Sequence, residues 1–233
     1  MKTIFITGAG GGIGLATAQL LSDKGYDVIV SVRNKEKAVA LLPSSVEITE
    51  FDVRDYKKVK EVFDDVIVRH AKIDVLINNA GLGYFDPIAD GSIEHWHEMV
   101  DVNVKGLLNC IHVALPMLIQ SQGLVINLGS VASRNVFANS GVYAATKHAV
   151  LAISESLRTE LSGKIKVSTI MPGAVNTPFI TKTQNNELLK DYIPYFASGL
   201  DPQTIAEAIL FCIEAPEGAV ISEITVRPDR KIR

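Results

Sequence analysis

The chain has 233 residues, 47% of them hydrophobic and 21% charged, which suits one large domain and excludes intrinsic disorder. Lys plus Arg number 23 and Asp plus Glu 26, a formal net charge of -3 that gives no general attraction to nucleic acid or an anionic membrane. Cys110 and Cys212 lie far apart in apolar stretches, so they predict reduced core residues rather than a disulfide framework or a metal cluster.

Met1-Lys2 leads directly into the first predicted strand, Thr3–Thr7, an apolar run too short for a signal peptide. No window approaches 18 uninterrupted apolar residues, so no membrane span is expected and the protein is read as cytoplasmic. Next comes Thr7-Gly8-Ala9-Gly10-Gly11-Gly12-Ile13-Gly14, with five glycines in the last seven positions. Glycines allow positive φ and let backbone N–H groups approach an anion, and the helix predicted from Ile13 to Lys24 adds its positive end. The spacing T-G-x-x-x-G-x-G differs from G-x-G-x-x-G, whose third glycine would fall on Ile13, yet it still suits a dinucleotide pyrophosphate.

The second strand, Val28–Val32, ends in Ser31-Val32-Arg33-Asn34. An acid there would hydrogen-bond an NAD ribose; Arg33, with Asn34 beside it, suits the 2′-phosphate of NADP instead. NADP is therefore expected over NAD. After the third strand, Val46–Phe51, Asp52 and Val53 face either the adenine edge or, for Asp52, a helix cap. A helix is predicted over Asp55–His70 and a fourth strand over Val75–Asn78, ending in Asn78-Asn79-Ala80-Gly81. A long helix over Ser92–Gln120 contains Asn103, and Pro116 is expected to kink or end it.

The fifth strand, Leu124–Leu128, leads to Ser130, and thirteen residues later Tyr143-Ala144-Ala145-Thr146-Lys147 opens a helix reaching Leu161. That spacing puts a phenol and an ammonium on one helical face. Tyr56-Lys57-Lys58-Val59-Lys60 has the same spacing but lies in a charged helix, whereas Tyr143 and Ser130 follow a parallel strand, where ligands of open sheets bind. Val167–Met171 is the sixth strand, Pro202–Ile213 the last helix and Ile221–Val226 a weak seventh strand. Between them, Pro172–Gly199 reads as a long irregular substrate lid, at about 173–199. The alternation predicts an α/β fold: a doubly wound, parallel, seven-stranded sheet flanked by helices (Rossmann fold), one domain over 1–233.

In order along the chain stand the glycine turn, Asn78-Asn79-Ala80-Gly81, Asn103, Ser130, Tyr143 with Lys147, and Pro172-Gly173 followed by Thr177. Together these resemble the short-chain dehydrogenase/reductase family over nearly the whole chain. The resemblance implies a hydride transfer between a nicotinamide cofactor and a small carbonyl or alcohol substrate. In it, Tyr143 is the general acid or base, Ser130 binds the substrate oxygen, and Asn103 holds a water in a proton relay. Lys147 holds the nicotinamide ribose and lowers the tyrosine pKa. A move of that pKa from 10 to about 7 needs about 4 kcal/mol. Thr7, Gly8, Gly10, Gly11, Gly12, Ile13 and Gly14 form the phosphate turn in this reading. Asn79, Ala80 and Gly81 meet the adenosine, and Pro172, Gly173, Val175 and Thr177 the nicotinamide end. The family also implies a homodimer or homotetramer joined through the two long helices.

Tyr84, Phe85, Phe137, Phe179, Tyr192, Tyr195 and Phe196 are candidates to line the substrate pocket, which points to an apolar or aromatic carbonyl compound. Arg134 either anchors a substrate carboxylate or is structural. His95, Trp96 and His97 lack a third ligand, so no metal is expected. The segment Ser222–Pro228 resembles the ending of a subgroup acting on hydroxy acids or small ketones. Two other readings stand beside the reductase: an extended-family epimerase, for which the C-terminal region is short, and a non-catalytic nucleotide sensor.

Overall fold

The computed structural model describes residues 1–229. Seven strands, β1 (Thr3–Thr7), β2 (Asp27–Val32), β3 (Glu47–Glu50), β4 (Val75–Asn78), β5 (Leu124–Leu128), β6 (Lys166–Pro172) and β7 (Glu223–Val226), make one sheet. The order is β3-β2-β1-β4-β5-β6-β7 and every pairing is parallel. All residues of β1, β4 and β5 are buried. Both faces are covered, which is why these strands read as unbroken apolar runs rather than alternating ones.

Side chains still alternate between two cores. From β1, Phe5 joins Leu76 and Val125 under α3 (Tyr56–His70), α4 (Ile93–Val100), α5 (Leu107–Gln120) and α6 (Gly141–Glu160). Ile4 and Ile6 join Val30, Ile77 and Ile126 under α1 (Gly12–Asp23), α2 (Lys35–Val39) and α8 (Pro202–Ile213). The chain reverses direction across the sheet between β1 and β4, so a crevice opens at their C-terminal ends.

Four local features differ from the sequence-based expectation. Helix α2 is additional; the Asn34 side chain caps it by accepting from Lys37 N at 2.8 Å. Between α4 and α5, Asp101–Gly106 winds as a π-helix, and Gly106 lies so near Val53 that a Cβ would stand 2.5 Å from its Cγ2. Pro116 does not end α5: Cys110, Ala114 and Leu118 bury its face, and the helix closes only at Ser121. The whole helical stretch Ile93–Gln120 is long and apolar enough by composition to cross a membrane, but half of its apolar window is buried in the fold.

The segment after β6 is also more ordered than expected. A 3₁₀ turn, Pro178–Lys182, and α7 (Asn186–Ala197) occupy it. Asn185 caps α7 by accepting from Glu187 N and Leu188 N, each at 3.2 Å. Leu189, Tyr192 and Phe196 recur at helical spacing and pack on the core, a pattern that Pro194 and the polar neighbours obscure in the sequence.

Candidate active site

One cavity of about 930 Å³ runs along the strand ends from Arg33 and Lys37 to Tyr143 and Phe196. At its centre lies the glycine turn, where the glycines have separate tasks. Gly8 has φ +72°, and a Cβ on it would stand 2.8 Å from Ala80 Cα; one on Gly14 would stand 2.4 Å from Asn79 Nδ2. These two allow the turn to pack on the end of β4. Gly10, Gly11 and Gly12 line the cavity, and a Cβ on Gly11 would meet nothing within 4 Å. The first helical hydrogen bond of α1 runs from Leu15 N to Gly11 O, so the preceding N–H groups are the helix's unpaired donors. Thr177 overhangs Gly12, and Ile13 also faces the cavity. Open glycines and free donors at a helix start fit a pyrophosphate.

Thr7 and Gly14 are not part of the cavity wall, contrary to the expectation that they touch ligand. Thr7 Oγ1 accepts from Asn79 N and Ala80 N, both at 3.1 Å, while Asn79 Nδ2 donates to Thr7 O and Gly8 O. These bonds join the glycine turn to the Asn-Ala-Gly turn. Asn79, Ala80 and Gly81 themselves line the cavity.

The far end is basic. Arg33, Asn34 and Lys37 line it with no acid at the tip of β2, and Arg33 has no hydrogen bond or ion pair within the described protein. Lys37 escapes a sequence reading because nothing local marks so short a helix as α2. Asp52 and Val53 also line the cavity. Asp52 accepts from Arg54 Nη2 at 2.7 Å and from Arg54 N at 2.9 Å, and the Arg54 bond holds its carboxyl below the usual range. The helix α3 is capped instead by Asp55.

At the other end, Ser130 follows β5 and starts a short 3₁₀ turn, with its Oγ accepting from Ala132 N at 3.1 Å. Tyr143, from the first turn of α6, and Ser130 are both buried and line the same end of the cavity. Lys147 Nζ donates to Leu128 O at 2.7 Å and lies 6.0 Å from the Tyr143 ring centre. Burial pushes the Tyr143 phenol up to about 12, against a smaller lowering by Ser130, and pushes Lys147 down to about 8. In the chain by itself the low-dielectric surroundings outweigh the lowering by Ser130. At neutral pH Tyr143 is a protonated phenol aimed into the cavity.

Asn103 does not reach the cavity wall. Its Oδ1 accepts from Leu82 N at 2.9 Å, and its Nδ2 donates to Leu82 O at 2.8 Å and Thr146 Oγ1 at 3.0 Å. Thr146 in turn donates to Tyr143 O at 2.7 Å. The asparagine thus braces α6 against the loop after β4. Thr146 escaped the sequence reading, although it stands beside Lys147. The competing Tyr56 lies elsewhere, 41% exposed and bonded to His112.

Pro172, Gly173, Val175 and Thr177 line the cavity near this end. Phe85 is the hub of its aromatic wall, 5.4 Å from Tyr143, 5.5 Å from Tyr192, 6.2 Å from Phe179 and 6.3 Å from Phe196 by ring centres. Phe137 and Tyr195 line the mouth. One pocket candidate lies elsewhere, and of the two readings of Arg134 the structural one is observed. Tyr84 lies outside the wall, stacked on His95 and bonded to Glu98 at 2.5 Å. Arg134 also lies outside it, paired with Glu223 at 2.5 Å. Asp191, on α7, lines the cavity and went unnoticed because the lid was read as irregular.

Residues 2–188 match the family model for short chain dehydrogenases. An uncharacterized oxidoreductase of Staphylococcus aureus strain MW2 is 40% identical, with 97% of each chain covered. The closed form of a serine dehydrogenase complexed with NADP+ is 31% identical, covering 97% of this chain and 94% of that one, with a TM-score of 0.89. An alcohol dehydrogenase from the archaeon Thermococcus sibiricus, complexed with 5-hydroxy-NADP, is 30% identical over 97% and 96%, with a TM-score of 0.84. With the parallel sheet, the glycine turn and the buried tyrosine, serine and lysine at one cleft, these matches place the chain in the short-chain dehydrogenase family, as an NAD(P)-dependent oxidoreductase.

Proposed function

We propose that the protein is an NADP-dependent carbonyl reductase, and in reverse an alcohol dehydrogenase, acting on a small carbonyl or alcohol substrate. The observation that carries this reading is the gathering of buried Ser130, Tyr143 and Lys147, the last two one helical turn apart, at the end of a cavity that starts at a basic strand tip. The nicotinamide, when bound, gives hydride in reduction and takes it in oxidation. Tyr143 keeps its proton at neutral pH and donates it from Oη to the substrate oxygen; in the reverse direction it receives the hydroxyl proton. Ser130 Oγ hydrogen-bonds the same oxygen and so fixes the carbon beside it. Lys147, with its pKa at about 8, is mostly charged at pH 7 and stabilises negative charge as it grows on the phenol.

Arg33 and Lys37 support NADP, since a 2′-phosphate would meet two cations and no acid at the tip of β2. Gly10, Gly11, Gly12 and Ile13 hold the pyrophosphate with Thr177 above it, and Asp52, Val53, Asn79, Ala80 and Gly81 surround the adenosine. Pro172, Gly173 and Val175 border the nicotinamide. The capture of Arg134 by Glu223 disfavours hydroxy acids, because a substrate carboxylate loses its candidate anchor. The reading includes self-association in the cytoplasm through the helix 93–120, whose Ile93, Val100 and Leu108 are exposed apolar residues.

The test follows reduced-nicotinamide absorbance with NADPH and NADH in parallel, against aldehydes, ketones, diketones and keto acids. Turnover with NADPH preferred, and better on ketones without a carboxylate than on keto acids, is expected. Preference for NADH refutes the roles of Arg33 and Lys37; preference for keto acids refutes the substrate reading.

A further inference from the structure

Beyond the glycine turn, two charged side chains line the cavity, Lys147 and Asp191. Lys147 is directed at Leu128 O. Asp191 has no hydrogen bond or ion pair within the described protein. Its neighbour Lys190 is bonded to Glu187 at 2.8 Å, and Arg134 to Glu223 at 2.5 Å, so neither of these cations is engaged with it. Asp191 is an exposed residue that shares the cavity wall with Tyr192, Tyr195 and Phe196 of its own helix and with Phe85. The helix is tied to the opposite rim, where Tyr192 Oη donates to Ala138 O at 3.3 Å, so the position of Asp191 over the cavity is set.

A lone carboxylate among aromatic faces is complementary to an ammonium group: both the charge and the ring quadrupoles attract a cation. The same carboxylate repels a substrate acid, which no free cation among the described residues at this end would receive. We propose that Asp191 is a specificity-determining residue, selecting carbonyl substrates that carry an ammonium group away from the reacting carbon and turning away carboxylates. Amino ketones and amino alcohols are the substrate class implied. This rests on the reductase reading above.

The experiment uses three matched ketones: 4-ethylacetophenone, 4-(aminomethyl)acetophenone and 4-acetylphenylacetate. For each, kcat/KM with NADPH and Kd by calorimetry are measured on the wild type, Asp191→Asn and Asp191→Lys. Within each protein, the charged compounds are expressed relative to the neutral one, which cancels general losses. In the wild type the aminomethyl compound is expected about threefold to fivefold better than the ethyl compound and the acid worse by a similar factor, the size of an exposed charge contact. The ratios should approach one in Asp191→Asn and invert in Asp191→Lys. The same order in Kd without turnover would uphold Asp191 while refuting the reductase reading. An unchanged order in Asp191→Asn, no charge order in the wild type, or no binding of the aminomethyl compound overturns the proposal.

Discussion

Replacing Lys147 by Met should stabilise the fold at neutral pH while stopping turnover. The lysine has a pKa of 10.5 when unfolded and about 8 when buried in the protein. Because the unfolded chain holds this proton more tightly, the charge destabilises the native state below pH 8, and rising pH relieves that penalty up to about 10.5. At pH 7 the difference amounts to about 3 kcal/mol, at 1.36 kcal/mol per tenfold change in proton affinity. Met fills similar space without a charge, but it leaves Leu128 O without its donor, a loss of about 1–3 kcal/mol. The net gain at pH 7 is therefore about 1 kcal/mol. The sharper quantity is the pH dependence, because the Leu128 loss is the same at every pH. Urea unfolding at pH 7 and pH 10 should show the variant's advantage falling by about 2–3 kcal/mol between the two, as the wild type sheds its buried charge. A constant difference between the two pH values would refute the burial argument for Lys147, whatever the effect on activity.

Tyr143→Phe should abolish turnover and change Kd for NADPH by less than about threefold, since the phenol faces substrate; activity retained at more than a few per cent would sink its role as proton donor. Arg33→Ala and Lys37→Ala should each weaken NADPH by about tenfold or more with little change for NADH in direct titrations, and equal losses for the two cofactors would remove the 2′-phosphate contact. Gly8→Ala should cost about 2 kcal/mol or more, because it combines φ +72° with a Cβ 2.8 Å from Ala80 Cα; a melting temperature within 1–2 °C of wild type, roughly, would show that the turn yields easily. His70→Gln should flatten stability against pH. Burial opposes the imidazolium, but bonds to Glu47 and Asp27 raise the pKa of His70 above its model-peptide value of 6.5. Its contribution is thus complete below pH 6.5 and fades as pH rises through the higher folded value, and a variant with an unaltered stability profile across that range would refute the clamp.

The strands and the gathering of Ser130, Tyr143 and Lys147 at one cavity were legible in the sequence because their signals are local. Buried parallel strands repeat Val and Ile without alternation, and a phenol and an ammonium four residues apart share a helical face wherever the helix lies. The two glycines at 10 and 11 were legible for the same reason. What the sequence left hidden depends on distant partners. Arg134 reads as a free anchor until Glu223, 89 residues away, takes it. Tyr84 reads as a pocket aromatic until Glu98 and His95 hold it outside. Asn103 reads as part of a relay, but Leu82 and Thr146 occupy its amide. The phenol's upward displacement depends on total burial, which no motif encodes. Helices α2 and α7 stayed hidden because one is a single capped turn and the other contains Pro194.

The π-helical turn at Asp101–Gly106 takes up one residue more than α-periodicity allows. The wide turn lets that residue bulge, so the α-helical segments on either side keep the same phase. The first segment presents Met99 and the second Cys110, Ala114 and Leu118 to one apolar cluster. A one-residue deletion between 101 and 106 would restore an uninterrupted α-helix with both stripes still on the core, yet it would draw Asn103 away from Leu82 and Thr146. Point substitutions here are ordinary, whereas a lost codon is not. In a library of single-codon deletions, this buried turn should be among the least tolerant stretches of the chain, with α2 and the connection after α8 among the most forgiving.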